Sequence, residues 1–331
     1  MTKLILNPFI SPSFNLALEE YLLTEFSEGD IIMLWRNSPS VIVGKNQNSY
    51  AEIDLDFVTE NKIPVIRRLT GGGAVFHDLG NINYTFISDY KSGDLGGFAR
   101  FASPVCDFLA QMGINAQLSG RNDITVDGIK ISGTAKTVKG GRSLAHGTLL
   151  YDADLSNLSK ALRPNLKKLE DKAVRSVKSR VCNIKEIANC PLSAQMFMEK
   201  LGDFFLKAPD TRLYELDNAD ISAVKQIEEA RYSRWEWNFA LSPDFSFKTE
   251  KKYPFGIVEC HLNIEEGRIS DIRFIGDFFG SESVEKLEEH LKSVKFTRSD
   301  LSQRLSAVSV SDFISGMTDS LLLDLILSAK K

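Results

Sequence analysis

The residues with the clearest chemical potential are 67–86, which read Arg-Arg-Leu-Thr-Gly-Gly-Gly-Ala-Val-Phe-His-Asp-Leu-Gly-Asn-Ile-Asn-Tyr-Thr-Phe. Gly71, Gly72 and Gly73 separate an apolar run ending in Arg67 and Arg68 from a second apolar run. Such a loop joins two strands, and the expectation is a glycine-rich hairpin. Glycine tolerates positive φ and leaves backbone N–H groups uncovered, so a loop of this kind can cradle an anion. Arg67 and Arg68 add fixed positive charge at its edge. The common nucleotide fingerprints, Gly-x-x-x-x-Gly-Lys-Ser/Thr and Gly-x-Gly-x-x-Gly, both continue into a helix. Here Ala74-Val75-Phe76-His77 continues as a strand, so neither applies. A hairpin that simply exposes its arginines is the alternative these residues leave open. In a second stretch, residues 120–135, Asp127-Gly128 is a two-residue hairpin signal that pairs 123–126 with 129–134. Lys130 then points away from Ile129 and Ile131, either as a solvated lysine or as the cation of a site.

These residues carry a resemblance. Arg67-Arg68 through Phe76-His77-Asp78 to Gly80-Asn81-Ile82-Asn83 resembles the signature of the lipoate-protein ligase family, which is related in fold to biotin-protein ligases and octanoyl transferases. Lys130-Ile131-Ser132-Gly133-Thr134-Ala135 is similar to its Lys-x-Ser-Gly-x-Ala strand, and Leu144-Ala145-His146-Gly147-Thr148-Leu149-Leu150 to its His-Gly-Thr-Leu-Leu strand. Phe14-Asn15-Leu16-Ala17, Trp35-Arg36-Asn37, Gly44-Lys45-Asn46-Gln47-Asn48 and Gly276-Asp277-Phe278-Phe279 also resemble family segments. So does Ser176 to Asn183, with Cys182 where the family usually has threonine.

The resemblance implies an α+β fold of mixed and antiparallel sheets packed with helices, with a catalytic domain over 1–245 and a small accessory domain over 250–331. It implies ATP-dependent conversion of lipoate to lipoyl-AMP. Transfer then follows to a lysine of a lipoyl domain, in an E2 subunit of a 2-oxoacid dehydrogenase complex or in the glycine cleavage H protein. On that reading Lys130 is a buried catalytic cation touching both the acid and the nucleotide phosphate. ATP is held by Arg68, Gly73, Ala74, Val75, Phe76 and Lys130, and lipoate by Gly72, Gly73, His77, Lys130, His146 and Gly147. Gly71, Asn81, Asn83, Asn122, Asp123, Ser132 and Gly133 complete the pocket. Mg²⁺ on the phosphates makes Asn122 and Asp123 weak ligand candidates, Asp123 foremost. His146 is expected to shape the pocket rather than to titrate. An octanoyl transferase would carry its acyl group on a cysteine, and none lies between 130 and 150; the Gly-Arg-Gly-Arg-x-Gly-Arg loop of biotin ligases is missing too. A module that holds lipoate or a lipoyl domain without turnover is the non-enzymatic alternative.

Around the site the pattern predicts supporting elements. Ser11-Pro12-Ser13 opens a helix that Gly29 stops, and further helices are expected over 54–60, 98–112, 194–206 and 220–230. Strands are expected over 31–36 and 40–44, and Gly140-Gly141 turns the Lys130 strand back towards His146. The aromatics of 232–238 suit either core or pocket wall. Residues 242–252 read as a domain boundary, followed by strands turning at 265–267 and helices over 284–294 and 311–327. At 331 residues the chain is comfortable for a large domain plus a small one. A net charge of -4 argues against a nucleic-acid partner, and no apolar run spans a membrane, so the cytoplasm is the expected compartment. Cys106, Cys182, Cys190 and Cys260 have neither disulfide nor zinc spacing. Eight basic residues from Lys160 to Arg180 suggest a surface that steers an acidic acceptor domain.

Overall fold

Ser11 starts the first helix: its hydroxyl accepts from the Phe14 N–H, and Pro12 occupies the first turn, where a missing N–H costs nothing. The helix, Pro12–Glu25, ends before Gly29, whose positive φ of 77° turns the chain into the next strand. The computed structural model describes residues 1–90, 98–120, 122–162, 181–239, 247–265 and 267–329. The basic residues from Arg163 to Arg180 lie outside the described residues.

Strands form where β-branched and aromatic residues alternate. In chain order they are β1 (Thr2–Leu6), β2 (Asp30–Trp35), β3 (Ser40–Val43), β4 (Val65–Arg67), β5 (Val75–His77) and β6 (Asn81–Asp89). Then follow β7 (Ala116–Ser119), β8 (Asp123–Val126), β9 (Ile129–Lys139), β10 (Arg142–Leu150) and β11 (Thr211–Leu213). The last three are β12 (Phe247–Tyr253), β13 (Gly256–Glu265) and β14 (Arg268–Gly276). One large mixed sheet has the order β11-β1-β2-β6-β10-β9-β8-β7, and two smaller ones read β4-β3-β5 and β12-β13-β14. Asp127 and Gly128 both take positive φ, as the expected β8–β9 hairpin requires, and Gly140 and Gly141 do the same between β9 and β10.

Two expectations, the 67–86 hairpin and the 311–327 helix, are corrected. Residues 67–86 do not form a hairpin: β4 and β5 flank β3 on opposite sides, parallel and antiparallel to it, so the glycine loop passes over the end of a third strand. Within the stretch expected as a boundary, 242–252, strand β12 begins at Phe247 and pairs with β13. The helix expected over 311–327 is two, Val310–Phe313 and Asp319–Leu327, broken where Gly316 takes φ 87°. A helix at Arg298–Leu305, capped by Thr297, was not expected at all.

Alternation along β2 and β6 buries both faces of the large sheet. Ile32, Leu34, Tyr84 and Phe86 join one core with the helices Ala99–Gln111 and Ala194–Leu206. Ile31, Met33, Trp35 and Ile87 join another beneath helix Pro12–Glu25. It is this second face, shared with the small sheet β4-β3-β5, that carries Asn83, Thr85 and His146. Strands β12 to β14 and the helices after them enclose a separate core built on Phe274, Phe278, Leu287 and Leu322.

Candidate active site

Arg67 closes β4 and Arg68 follows it, and neither is exposed: they are 1% and 5% accessible. The Arg67 guanidinium donates to the carbonyls of Gly44, Lys45, Gln47, Trp237 and Asn238 and to the Ser49 hydroxyl. Trp237 returns a bond from its indole N–H to the Arg67 carbonyl. Arg68 donates to the Thr70 hydroxyl and to the carbonyls of Ile42, Gly71 and Gly73. Burial first, and its neighbour Arg68 second, lower the Arg67 pKa to about 9; burial lowers that of Arg68 to about 10. Both stay charged at neutral pH. Their charge is spent largely on the backbone, so they build the loop rather than project from it, and the alternative of exposed arginines falls away.

The three glycines serve three different needs. A Cβ on Gly71 would lie 2.1 Å from the carbonyl oxygen of Phe278, which belongs to the core of β12 to β14. Gly72 has φ 89° and would also crowd Phe279 and Arg68. Gly73 meets nothing within 4 Å and opens onto a cavity.

That cavity, about 660 Å³ with its open mouth, is walled by β5, β6, β9 and β10 and by the glycine loop. Of the anticipated residues, Arg68, Gly72, Gly73, Ala74, Val75, His77, Asn83, Asn122, Lys130, Gly133, His146 and Gly147 line it. Phe76 instead turns its side chain into the core of the small sheet. Asn81 is fully buried behind Asn83 and donates to it, and Ser132 is buried against the Tyr84 hydroxyl. Gly71 faces the second core.

Lys130 stands at the mouth, its Nζ 2.7 Å from Asp123 Oδ1, with both side chains about a third exposed, at 37% and 36%. It is therefore a half-exposed, paired cation, not a buried one. A pair this exposed contributes little to stability, so an anionic ligand can displace it. Gly133 makes room, since a Cβ there would lie 3.0 Å from the Lys130 Nζ. Asp123 is engaged by that ammonium, and Asn122 donates to the Thr134 carbonyl. No group of three His, Cys, Asp or Glu side chains able to hold a metal stands among the described residues.

Deeper in, His146 is bonded on both ring nitrogens. Its Nδ1 is 2.9 Å from both Glu19 oxygens and its Nε2 is 2.8 Å from the Thr70 hydroxyl. A carboxylate can only accept, so His146 Nδ1 carries a hydrogen for Glu19, and Arg68 Nε donates to the Thr70 hydroxyl that closes the other side of the ring. Glu19 also accepts from Thr85, which accepts from the Trp35 indole. The helix Pro12–Glu25, strands β2, β6 and β10 and the glycine loop thus share one buried polar network.

Residues 11–206 match the model of the lipoyl protein ligase A/B catalytic domain, and residues 242–326 match that of the bacterial lipoate protein ligase C-terminus. This chain belongs to the lipoyl protein ligase family. It is 39% identical over 319 residues to lipoate-protein ligase LplJ of Bacillus subtilis, covering 95% of this chain and 96% of that protein. Its fold is that of known ligases: LipL1 of P. falciparum in complex with lipoate superposes with a TM-score of 0.76 at 26% identity, over 99% and 98% of the two chains. A lipoate-protein ligase A bound with ATP gives 0.63 at 27% identity, over 73% and 99%. The bipartite ligase of Thermoplasma acidophilum, described with its E2 lipoyl domain, gives 0.64 at 28% identity, over 74% and 98%.

In this ligase the cavity wall also takes Leu16, Trp35, Ile42, Thr134, Ala135, Thr148 and Phe279, none of which was assigned to the site from sequence. Leu16, Trp35 and Phe279 sit inside family-like segments, so a signal was present. Their apolar character gave no reason to separate pocket wall from core. Of the aromatics at 232–238, Tyr232 is core, Trp237 braces Arg67 and Trp235 is exposed.

Proposed function

We propose that this chain is a lipoate-protein ligase that activates lipoate with ATP as lipoyl-AMP and transfers the acyl group to a lysine of a lipoyl domain. Forming an amide from a free carboxylate is uphill unless one oxygen is first made a leaving group. The acid's carboxylate oxygen attacks the α-phosphorus of ATP, pyrophosphate leaves, and the acceptor amine then displaces AMP from the acyl carbon. Two anions must meet in the first step, and positive charge placed beforehand lowers that barrier.

The observation that carries the reading is the juxtaposition of the Lys130 ammonium with the open face of Gly73 in one cavity, within a family match spanning both parts of the chain. Lys130 exchanges Asp123 for the carboxylate and the α-phosphate. The uncovered backbone at Gly73 and the neighbouring Ala74 and Val75 lie beside the nucleotide. The acid chain runs inward between Leu16, Trp35, Ile42 and His77. Arg68 and Glu19–His146 hold these walls in place. Mg²⁺ enters with the nucleotide phosphates, and Asp123, once released by Lys130, is the carboxylate at the mouth that can face it. The catalytic unit occupies 1–245 and the accessory unit 250–331. E2 lipoyl domains and the glycine cleavage H protein are the acceptors, and ATP-dependent work on such proteins belongs in the cytoplasm. No helix among the described residues is long and apolar enough to cross a membrane.

Incubation with ATP, lipoate and Mg²⁺ is expected to yield a protein complex carrying lipoyl-AMP, seen by native mass spectrometry, and to release pyrophosphate. Lys130→Ala is expected to abolish that release. No adduct with the wild type would defeat the ligase reading, and a near-wild-type rate in the variant would remove Lys130 from its role.

A further inference from the structure

The inner end of the cavity contains a hydrogen-bond donor whose polarity is fixed by a relay of buried side chains. The relay begins at a backbone N–H that can only donate. Phe9 N gives its hydrogen to Asn7 Oδ1 at 3.1 Å, so Asn7 must present its amide nitrogen to Asn15 Oδ1, 2.8 Å away. Asn15 Nδ2 then shares its two hydrogens among three acceptors, the Phe9 and Arg36 carbonyls, both at 3.0 Å, and Asn37 Oδ1 at 2.9 Å, a setting that admits only the nitrogen there. With its oxygen taken, Asn37 turns its Nδ2 to His77 Nδ1 at 3.1 Å. That ring nitrogen must be a bare acceptor, which places the proton on Nε2. Asn7, Asn15, Asn37 and His77 are all at most 4% exposed.

His77 lines the cavity, and its Nε2 has no hydrogen-bond partner among the described residues. The ring stays neutral: burial, then His146 and Arg68, lower its pKa to about 3. A buried donor without a partner is uncommon and disfavoured, and it points to a ligand atom that completes it. The direction of the cavity says which atom. Lys130 and Asp123, about a third exposed, mark the mouth, whereas Leu16, Trp35, Ile42 and His77 are at most 4% exposed and mark the blind end. An acid whose carboxylate sits at Lys130 brings its far end to His77. Beside it, Asn83, paired in register with Trp35, offers a second buried amide nitrogen without a partner.

We propose that the His77 Nε2–H reads the far end of the acid, favouring one that carries a hydrogen-bond acceptor there, a dithiolane sulfur, over an unsubstituted alkyl chain of the same length. This rests on the cavity being the lipoate site. Sulfur is a weak acceptor, but the alkyl acid leaves the donor unpaired, and discrimination of this kind depends on the unpaired state.

The test compares kcat/KM for lipoate and octanoate in acid-dependent pyrophosphate release. His77→Phe keeps a ring of similar size and removes the donor. The lipoate-to-octanoate ratio is expected to fall about fivefold or more, chiefly through the KM for lipoate, and His77→Gln, which restores an amide donor near the Nε2 position, to recover part of it. A merely structural role would lower both acids together and leave the ratio unchanged, which would overturn the proposal. The wild type supplies a second measurement that needs no variant. In ¹⁵N NMR spectra His77 should show a protonated Nε2 and a bare Nδ1, with the Nε2–H signal shifting on addition of lipoate more than of octanoate. Equal shifts, or a proton on Nδ1, would overturn it as well. Failure of the wild type to activate either acid would instead defeat the ligase reading.

Discussion

At the scale of single residues, the molecule places charge where sequence habits do not expect it. Arginine is rarely buried without a carboxylate, yet Arg67 is enclosed by five carbonyl oxygens and a hydroxyl drawn from 44–49 and 237–238. Arg67→Ala is expected to cost about 3–5 kcal/mol, because those carbonyls lose their donor together, and the shift should show in urea unfolding midpoints. Arg67→Lys should recover little of it, since three donors at a point cannot span a planar fork. His77 makes a pH prediction. Its pKa is about 3 when folded and about 6.5 in an unfolded chain, so below pH 6.5 the unfolded state takes up a proton the folded state refuses. The stability due to neutral His77 is complete above pH 6.5 and is lost as pH falls towards 3, by at most ~1.4 kcal/mol per pH unit. His77→Phe should flatten that part of the stability curve, measured by urea unfolding at pH 7 and pH 5.

At the scale of elements, the glycine loop separates folding from chemistry along three consecutive positions. Gly73→Ala has free space for its methyl group, so stability should change by less than about 0.5 kcal/mol while pyrophosphate release falls, because the methyl stands in the cavity. Gly72→Ala must hold φ 89°, a conformation that costs a side chain about 1–2 kcal/mol, and should lower the melting temperature as well. If Gly73→Ala melted as early as Gly72→Ala, the division of labour would be wrong. The same elements show what the chain discloses locally. Asp127-Gly128 and Gly140-Gly141 announced their hairpins because positive φ at both turn positions is a demand that few residues meet. The pairing of β4 and β5 with β3 could not be read from 67–86, since the partner strand ends at Val43 and nothing in the loop refers to it. That Lys130 lies at the cavity was legible in its motif, but its pairing with Asp123 comes through a hairpin with a bulge at Ile124/Thr125, which sets which side chains share a face. The burial of Arg67 depends on Trp237 and Asn238, 170 residues away, and was illegible for the same reason.

At the scale of the whole molecule, the chain that follows β14 meets the glycine loop at the cavity. Phe278, from the core of β12 to β14, and its neighbour Phe279 lie on the glycine loop: the Phe278 carbonyl sits against Gly71, and the Phe279 ring lines the cavity and packs on Phe98. Gly276 N donates to the Asn46 carbonyl, and Lys45 reaches Ser283 and Glu285. Neither Gly71 nor Asn46 belongs to the core that strands β12 to β14 enclose with their helices. The contact can therefore be broken without unfolding either side. Gly71→Ala is the sharpest tool, because its Cβ would lie 2.1 Å from the Phe278 oxygen, a distance no rotamer change relieves. The smallest response that removes the clash is separation of the second unit from the loop. Small-angle scattering should then show a larger radius of gyration at an unchanged far-ultraviolet spectrum. Acid activation should suffer chiefly in KM, since Phe279 leaves the cavity wall while Lys130, His77 and His146 stay in place. Phe279→Ala should reproduce the KM effect without the expansion, because it removes the ring but keeps the backbone contact at Gly71. If Gly71→Ala left both the scattering profile and KM unaltered, the loop and Phe278 would not be in contact in solution, and the cavity would be the work of the first unit alone.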